Sequence, residues 1–527
     1  LLVGHADPRV QSAAIDCLAR WQQPVLLTHK DKLQGLVSDK SFRETLALFS
    51  LDSGVAGSLP KRHRPLLLPL LSRLLFSKLT QRSGKGASKN HQAQRRATIF
   101  AFFAGFDPHE LRPLVDLLLA PLAAVGATEA RPASGCDDST QRAAALARVG
   151  ASKQLGVLRA LHEAVQQVGG ALRPYLAELS AATLHLLLYT THCACHADGC
   201  DAAEVQLLPS AAALDCLPSL SLVQAREGRL WAIKLLTALQ ATFPDFDFAS
   251  MMPLAFASLS PVLRRLHSHY TQSPAGLLTL LLLMVQQPTT LPLLHLALPT
   301  APVLPCAYAA LSARGCARPV VEMVLSMVEA LLDHIEAGKA AAIAAATAVS
   351  ASGDDYSADA ASEDGSPQPR PNSEELAAEA GRLGAVAAVA EDLLTGHMPQ
   401  LLEDLHTRLR GKFGGDAVKA LATLEGGEQA TRELRLFTRL SCHVTSADQA
   451  EPLLELFLPY LRVKSTPRTE RIKEQASAGR RWVGQWREGR GYKGPASRRT
   501  HRAPTGQRLA SGSLASGAIP PPAPLEP

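Results

Sequence analysis

The sequence has few of the features that mark membrane proteins, secreted proteins or enzymes. Its longest apolar run, at residues 275–285, is far shorter than the ~20 residues that a membrane-spanning helix needs. It has no Asn-x-Ser/Thr sequon, and its nine cysteines are an odd number scattered along the chain, which indicates a reducing compartment. Neither a Gly-x-Ser-x-Gly elbow nor a nucleotide-binding loop is present. We therefore expect a soluble protein without catalytic chemistry, cofactor, membrane contact or small-molecule substrate.

Aromatic residues are also scarce, at 5% of the 527 residues, whereas apolar residues make up 46%. Leu and Ala dominate long stretches, and this composition favours many thin helix-to-helix contacts over a few thick cores. Apolar residues recur with helical spacing, and strand-like alternation is not evident. The predicted fold class is therefore all-α, a HEAT/armadillo-like helical-repeat solenoid with disordered loops and a disordered C-terminal tail.

Two similar helix starts, one hundred residues apart, indicate a recurring unit. Asp7 can cap a helix that has Pro8 at its first position, and Asp107, Pro108 and Glu110 match a capping box. In the first helix, the spacing predicts that one face packs inward, comprising Val10, Ala14, Cys17, Leu18 and Trp21. Across the whole array, we expect burial of Cys17, Leu18, Leu74, Phe103, Leu118, Leu236 and Leu458.

The same periodicity divides the chain into four regions. Helices are predicted at 64–80, 93–106, 153–168, 172–190, 229–243, 252–270, 276–285, 318–335, 374–394, 398–409, 429–442 and 448–461. Residues 1–350 form HEAT-like repeats with a basic loop at 83–92 and variable loops at 124–140 and 196–209. An acidic disordered linker at 351–373 precedes further helices at 374–475, and a basic Gly/Pro/Arg-rich disordered tail occupies 476–527.

The net charge of +6 is unevenly distributed. Residues 462–527 contain 14 Lys and Arg against 4 Glu, so the remainder of the chain sums to −4. Residues 61–96 contain ten Lys and Arg and no Asp or Glu. We interpret this stretch as a contact surface for RNA phosphates, with a solvated helical face as the alternative. The candidate phosphate-binding residues are Lys61, Arg62, Arg64, Lys85, Lys89, Arg95 and Arg96.

Among these candidates, Lys85, Lys89, Arg95 and Arg96 are the strongest by position. Arg95 and Arg96 are expected at the start of a helix, where a cation gains nothing from the helix dipole. The two lysines extend the same charge into the basic loop. Such placement suggests an external anion.

One cluster has the residue types of a zinc site, namely His192, Cys193, Cys195, His196 and Cys200. The Cys-x-Cys pair lacks the usual spacer, and no second cluster follows downstream. Because the segment ends an apolar helix, where cysteine is an ordinary core residue, we favour a structural or incidental explanation over zinc binding. It is a weak candidate, and we expect no bound metal.

Several stretches resemble the DRIM (down-regulated in metastasis) family, the very large HEAT-repeat proteins known as small-subunit processome component 20. The resemblance is carried by HADPRVQSAAIDCLARW (5–21), HRPLLLPLLSRLLFSKL (63–79), RRATIFAFFAGFDPHELRPLVDLLLAPL (95–122), KQLGVLRALHEAV (153–165), RLWAIKLLTALQATFPDFDF (229–248), RELRLFTRLS (432–441) and LLELFLPYL (453–461). Order and spacing agree as well as content over residues 1–475. The resemblance ends in the tail, which is similar to translated non-coding sequence, a gene-model artefact, or a divergent end.

The resemblance implies a nucleolar scaffold of the small-subunit processome that supports pre-rRNA processing and 18S rRNA maturation in ribosome biogenesis. It implies precursor ribosomal RNA, small nucleolar ribonucleoprotein components and other assembly factors as partners. The chain is expected to be an internal or partial fragment, because it opens inside a helical pattern.

Two alternatives remain open. A HEAT-repeat nuclear transport receptor or adaptor would show acids evenly lining successive helices. A zinc-dependent enzyme would be built around residues 192–200.

Overall fold

The computed structural model describes residues 2–49, 59–80, 89–123, 126, 145–197, 220–266, 272, 276–297, 303–313, 315–351, 373–413, 432, 433, 435, 436, 438–444 and 477. All regular elements among these residues are helical, so the chain is an all-α helical-repeat solenoid in the part described. The first half contains α1 Pro8–Ala19, α2 Pro24–Val37, α3 Phe42–Ala47, α4 Arg64–Thr80, α5 Lys89–Ala104, α6 Arg112–Ala123, α7 Ala151–Val168 and α8 Leu176–Ala197.

The second half contains α9 Leu222–Thr242, α10 Met252–Arg264, α11 Gly276–Gln286, α12 Leu291–Ala297, α13 Val303–Ser312, α14 Arg318–Ala351, α15 Ser373–Thr395 and α16 Met398–Phe413. Short 3-10 helices lie at Leu2–Gly4, Lys61–His63, Pro108–Leu111 and Gly169–Tyr175. The last three lead directly into α4, α6 and α8.

Local chemistry explains several helix starts. The Asp7 carboxylate accepts a hydrogen bond from the Arg9 backbone N–H at 2.8 Å, and Pro8 occupies the first helical position. At the second predicted start, the Glu110 carboxylate accepts from the Asp107 N–H at 3.1 Å, completing a capping box. Both predicted caps are confirmed, although the second opens a 3-10 turn before α6.

Several side-chain contacts in the first half of the chain have a nearly constant separation in sequence. Gln11 and Ser77 are hydrogen-bonded across 66 residues, and Arg112 and Glu178 also across 66. The Tyr175 hydroxyl donates to the Pro108 carbonyl, 67 residues earlier. Arg159 and Glu227 pair across 68 residues. These contacts therefore join successive structural units, a regularity that the degenerate sequence did not reveal.

The directions of neighbouring helices follow from paired contacts. The early residue Gly228 of α9 lies against Thr190, near the end of α8, so the two helices run antiparallel. On its other side α9 runs parallel to α7, because Arg159 pairs with Glu227 and His162 meets Trp231. This alternation is the expected arrangement of a helical array.

Among the described residues, a continuous hydrophobic core extends from Val3 to Val444. Leu74, Phe103, Leu118 and Leu236 are buried, as predicted from helical spacing. Leu458 lies outside the described residues.

The prediction of which face of α1 packs inward was wrong, because the helix is rotated about its axis relative to the predicted orientation. Cys17 is exposed, Trp21 is 73% exposed, and Leu18 is only partly buried. The buried positions centre on Ile15 and include Gln11 and Ala14, with Ala19 beside them. Gln11 turns inward because its amide donates to the buried Ser77 hydroxyl at 2.6 Å. A polar residue therefore occupies a position that the apolar pattern assigned to solvent.

Several boundaries also differ from expectation. The structure places α5 from Lys89, inside the predicted loop at 83–92, and α8 continues to Ala197, past the predicted loop start at 196. The longest helix, α14, reaches Ala351 rather than ending near Ile335, since its second half is rich in Ala, the best helix former. The helices α2, α3, α12 and α13 were not predicted individually.

Candidate nucleic-acid interface

The predicted basic surface begins at the 3-10 helix Lys61–His63, which leads into α4. The side chains of Lys61 and Arg62 are exposed. Arg64 is instead buried, and its guanidinium donates to the Leu59 carbonyl and to the Glu110 carboxylate, both at 3.3 Å. Arg64 therefore ties α4 to the start of the next unit.

A second cation of the stretch, Lys78, is 1% exposed. Its ammonium donates to the Val37 carbonyl and to the Asp39 carboxylate, each at 2.7 Å. Because Val37 is the last residue of α2, Lys78 stabilises the negative end of that helix. The same carboxylate lies 3.8 Å from the Arg95 guanidinium, so one acid serves two cations.

Arg96 forms an ion pair with Glu163 of α7 at 2.8 Å. Burial raises the pKa of Glu163, although Arg96 and then Arg159 act in the opposite direction. The pair links α5 to α7 and belongs to the same series of contacts between successive units as Arg112 with Glu178.

These contacts change the interpretation of the acid-free stretch. Arg95 and Arg96 lie within α5, which begins at Lys89, so the argument that they sit at a helix start was wrong. Acids from distant parts of the chain reach them and Arg64. Lys85 lies outside the described residues, and only the backbone of Lys89 is described.

Arg43 is a further exposed cation that the sequence did not associate with this surface. Its guanidinium donates to the side-chain oxygen of Gln94 on α5 at 2.9 Å. The two residues are 51 positions apart, and Arg43 lies outside the acid-free stretch, so no local signal pointed to it.

The candidate zinc residues lie at the end of α8, apart from Cys200, which is outside the described residues. His192, Cys193 and Cys195 are buried, whereas His196 is exposed. The rings of His192 and His196 lie one helical turn apart, with centroids 6.4 Å from each other and planes tilted by 35°. Burial raises the pKa of the Cys193 thiol, which favours the protonated form over the thiolate that zinc binds.

Three potential metal ligands do approach one another elsewhere, at Asp107, His109 and Glu110. Their ligand atoms lie within 4.8 Å, and the group is largely exposed. Glu110 already accepts from the Asp107 N–H and pairs with Arg64. The arrangement is therefore explained by the capping box.

In the described part of the chain, none of the helices combines the length and the apolar character that crossing a membrane requires.

A cavity between α1, α2 and α4 has a volume of about 10 Å³, enough for about one water molecule, and its lining is apolar.

Comparison with known proteins gives one relative and one family. The curated U3 small nucleolar RNA-associated protein 20 of Schizosaccharomyces pombe (strain 972 / ATCC 24843) is 32% identical over 115 residues. The matched segment covers 22% of this chain and 4% of that relative, so the chain corresponds to a small part of the relative's length. The family described as U3 small nucleolar RNA-associated protein 20, N-terminal, matches residues 1–477. On the strength of that match, which takes in all the described helices, the chain belongs to the U3 small nucleolar RNA-associated protein 20 family.

Proposed function

We propose that this chain is part of a non-catalytic scaffold of the small-subunit processome, supporting pre-rRNA processing and 18S rRNA maturation in the nucleolus. The observation that carries the proposal is the match of residues 1–477 to a family named for its association with U3 small nucleolar RNA. Its partners would be precursor ribosomal RNA, small nucleolar ribonucleoprotein components and other assembly factors.

The architecture suits a scaffold because each unit is joined to the next by packing and by ion pairs. Arg96, Arg112 and Arg159 each pair with a glutamate of the following unit. An array built in this way presents a long surface to extended partners. Because these glutamates are paired with arginines, they do not form the acidic lining that a nuclear transport receptor would need.

The RNA contacts of the proposal centre on Lys61 and Arg62, which are exposed, together with Lys85 and Lys89. Arg64, Arg95 and Arg96 contribute less, since each lies close to a carboxylate. Cations at a surface neutralise phosphates without reading bases, so the binding should be insensitive to sequence.

Crosslinking in cells, followed by sequencing of the bound RNA, tests the function directly. We expect reads from precursor ribosomal RNA and from U3 small nucleolar RNA. Recovery of neither RNA from efficiently crosslinked protein would overturn the assignment to the processome.

Salt dependence of binding tests the surface. If four phosphates are neutralised, the logarithm of affinity for single-stranded RNA should fall against the logarithm of salt with a slope of about −3. Changing Lys61, Arg62, Lys85 and Lys89 to Gln should flatten that slope. Changing the exposed Arg20 and Arg148 to Gln is the control and should leave it nearly unaltered. Equal slopes in both variants would show that the surface is only solvated.

Elemental analysis of the purified chain tests the zinc alternative. We expect no stoichiometric zinc. One zinc per chain, lost when Cys193 and Cys195 are changed to Ser, would favour a metal site at the end of α8.

A further inference from the structure

The ring of Trp231 lies where α9 runs beside α7, and three basic side chains surround it. Its centroid is 5.5 Å from that of the His162 imidazole, with the two planes at 74°. The guanidinium carbon of Arg159 is 5.5 Å from the ring centroid, and the ammonium of Lys234 is 4.7 Å from it. Trp231 is partly buried and Lys234 is exposed. The ring is thus a surface aromatic in a cationic setting.

Two of the three neighbours hold the ring in place. Arg159 forms an ion pair with Glu227, one turn before Trp231 on α9. Burial, and then Lys234, lowers the pKa of His162, so its imidazole is neutral near pH 7 and meets the ring edge without charge. The orientation of the indole is therefore set before any partner arrives.

Lys234 differs from these neighbours. In the described part of the chain it forms no ion pair, and its ammonium lies over the Trp231 ring and near the neutral His162 imidazole. A cation over an aromatic ring at an exposed site is held weakly. Its ammonium can therefore move to a phosphate and leave that face of the indole open to a base.

Apolar surface continues beside the ring on α9. Val223 is 75% exposed and Leu230 is 40% exposed. These residues and Lys234 lie at helical spacings of seven and four, which places them on one face of α9. A partly exposed aromatic ring beside a cation that is free to move combines the two features, base stacking and phosphate neutralisation, by which proteins hold single-stranded nucleic acid.

We propose that this face of α9 is a second RNA-contacting surface, in which a base of single-stranded RNA stacks on Trp231 and Lys234 neutralises a neighbouring phosphate. The inference rests on the proposed function, which it deepens by naming a second site and a stacking contact. An acidic protein segment is the other possible occupant, and the experiment distinguishes it.

Tryptophan fluorescence reports on this contact. The chain has four tryptophans, so changing Trp21, Trp482 and Trp486 to Phe leaves Trp231 as the only one. Titration with poly(U) should quench its emission. The matched control retains only Trp21, which is 73% exposed on α1, and should show little change.

Affinity for poly(U), measured by fluorescence anisotropy on the otherwise unchanged chain, provides the second readout. Trp231→Leu should weaken binding about tenfold. Trp21→Leu should not, and circular dichroism checks that both variants keep their helicity.

The outcomes separate the two proposals. RNA binding without quenching of Trp231 and without an effect of Trp231→Leu overturns this inference and leaves the basic surface near Lys61 intact. If the unchanged chain binds no RNA at low salt, both RNA contacts fail. Equal quenching of Trp231 by polyglutamate assigns the face to acidic proteins and overturns the RNA proposal.

Discussion

The buried ammonium of Lys78 allows a direct test of how much its hydrogen bonds stabilise the junction of α2 and α4. Its side chain is 1% exposed, and its ammonium makes two charge-assisted hydrogen bonds of 2.7 Å, to the Val37 carbonyl and the Asp39 carboxylate. Such bonds contribute roughly 1.5–3 kcal/mol each in favourable cases, but the Asp39 side chain is 62% exposed and its share is reduced by solvent.

From these values, Lys78→Met should destabilise the junction of α2 and α4 by about 2 kcal/mol, because the stem still fills its site while both bonds are lost. Lys78→Ala adds a cavity and should cost about 4 kcal/mol. Asp39→Asn should cost about 1 kcal/mol, since an amide oxygen still accepts the bond.

A whole-chain melt is a poor readout, because long repeat arrays do not unfold in one step. Hydrogen exchange of peptides from α2 and α4 measures the local opening free energy instead. Peptides from α9 serve as the internal reference, and Lys40→Met, beside Asp39 and exposed, is the matched control. If peptides from α2 and α4 exchange no faster in Lys78→Met than in Lys40→Met, the hydrogen bonds of Lys78 do not stabilise the junction of α2 and α4, and the reasoning is refuted.

Three further outcomes follow from individual side chains. Gly338 of α14 has no room for a side chain, because an added Cβ would overlap Ala387 of α15. Gly338→Val should therefore destabilise this helix pair by about 1–3 kcal/mol, measured by hydrogen exchange of peptides from α14 and α15. Gly384→Ala, with open space around it, should be neutral or stabilising in the same measurement. The hydroxyl of Tyr308 is fully buried without a hydrogen-bond partner in the described structure, so Tyr308→Phe should keep or raise the local opening free energy of α13, measured by hydrogen exchange. Burial lowers the pKa of His29 below its ordinary 6.5, so the unfolded state binds more protons, and the stability of α2 should fall as pH drops below about 6.5. His29→Leu should flatten that part of the pH profile of the local opening free energy of α2, measured by hydrogen exchange.

The zinc candidates and the basic surface show how far residue type alone can be taken. The residue types at 192–200 match a zinc site, but the structure buries His192, Cys193 and Cys195 in α8 and leaves His196 exposed, which their spacing in the sequence does not reveal. In the same way, an acid-free run of residues says nothing about Asp39, Glu110 and Glu163, which come from other elements.

Features that depend on neighbours within a few residues could be predicted from the sequence. Helix class, the caps at Asp7 and Asp107, and most helix positions follow from backbone hydrogen bonding and a 3.6-residue apolar period, both of which are local. The stretches that carry the family resemblance are also short and continuous in the sequence.

Which charged side chains remain available to a partner depends on the tertiary structure. Arg64, Lys78 and Arg96 meet carboxylates 46, 39 and 67 positions away, and α1 rotates so that Gln11 can reach Ser77. The approach of Trp231 to Arg159 and His162 likewise depends on α7 and α9 lying side by side. Ion pairs and ring contacts act over a few ångströms in space, so their partners depend on how successive units stack. Because the repeat is degenerate, this stacking cannot be predicted from any one segment of the sequence.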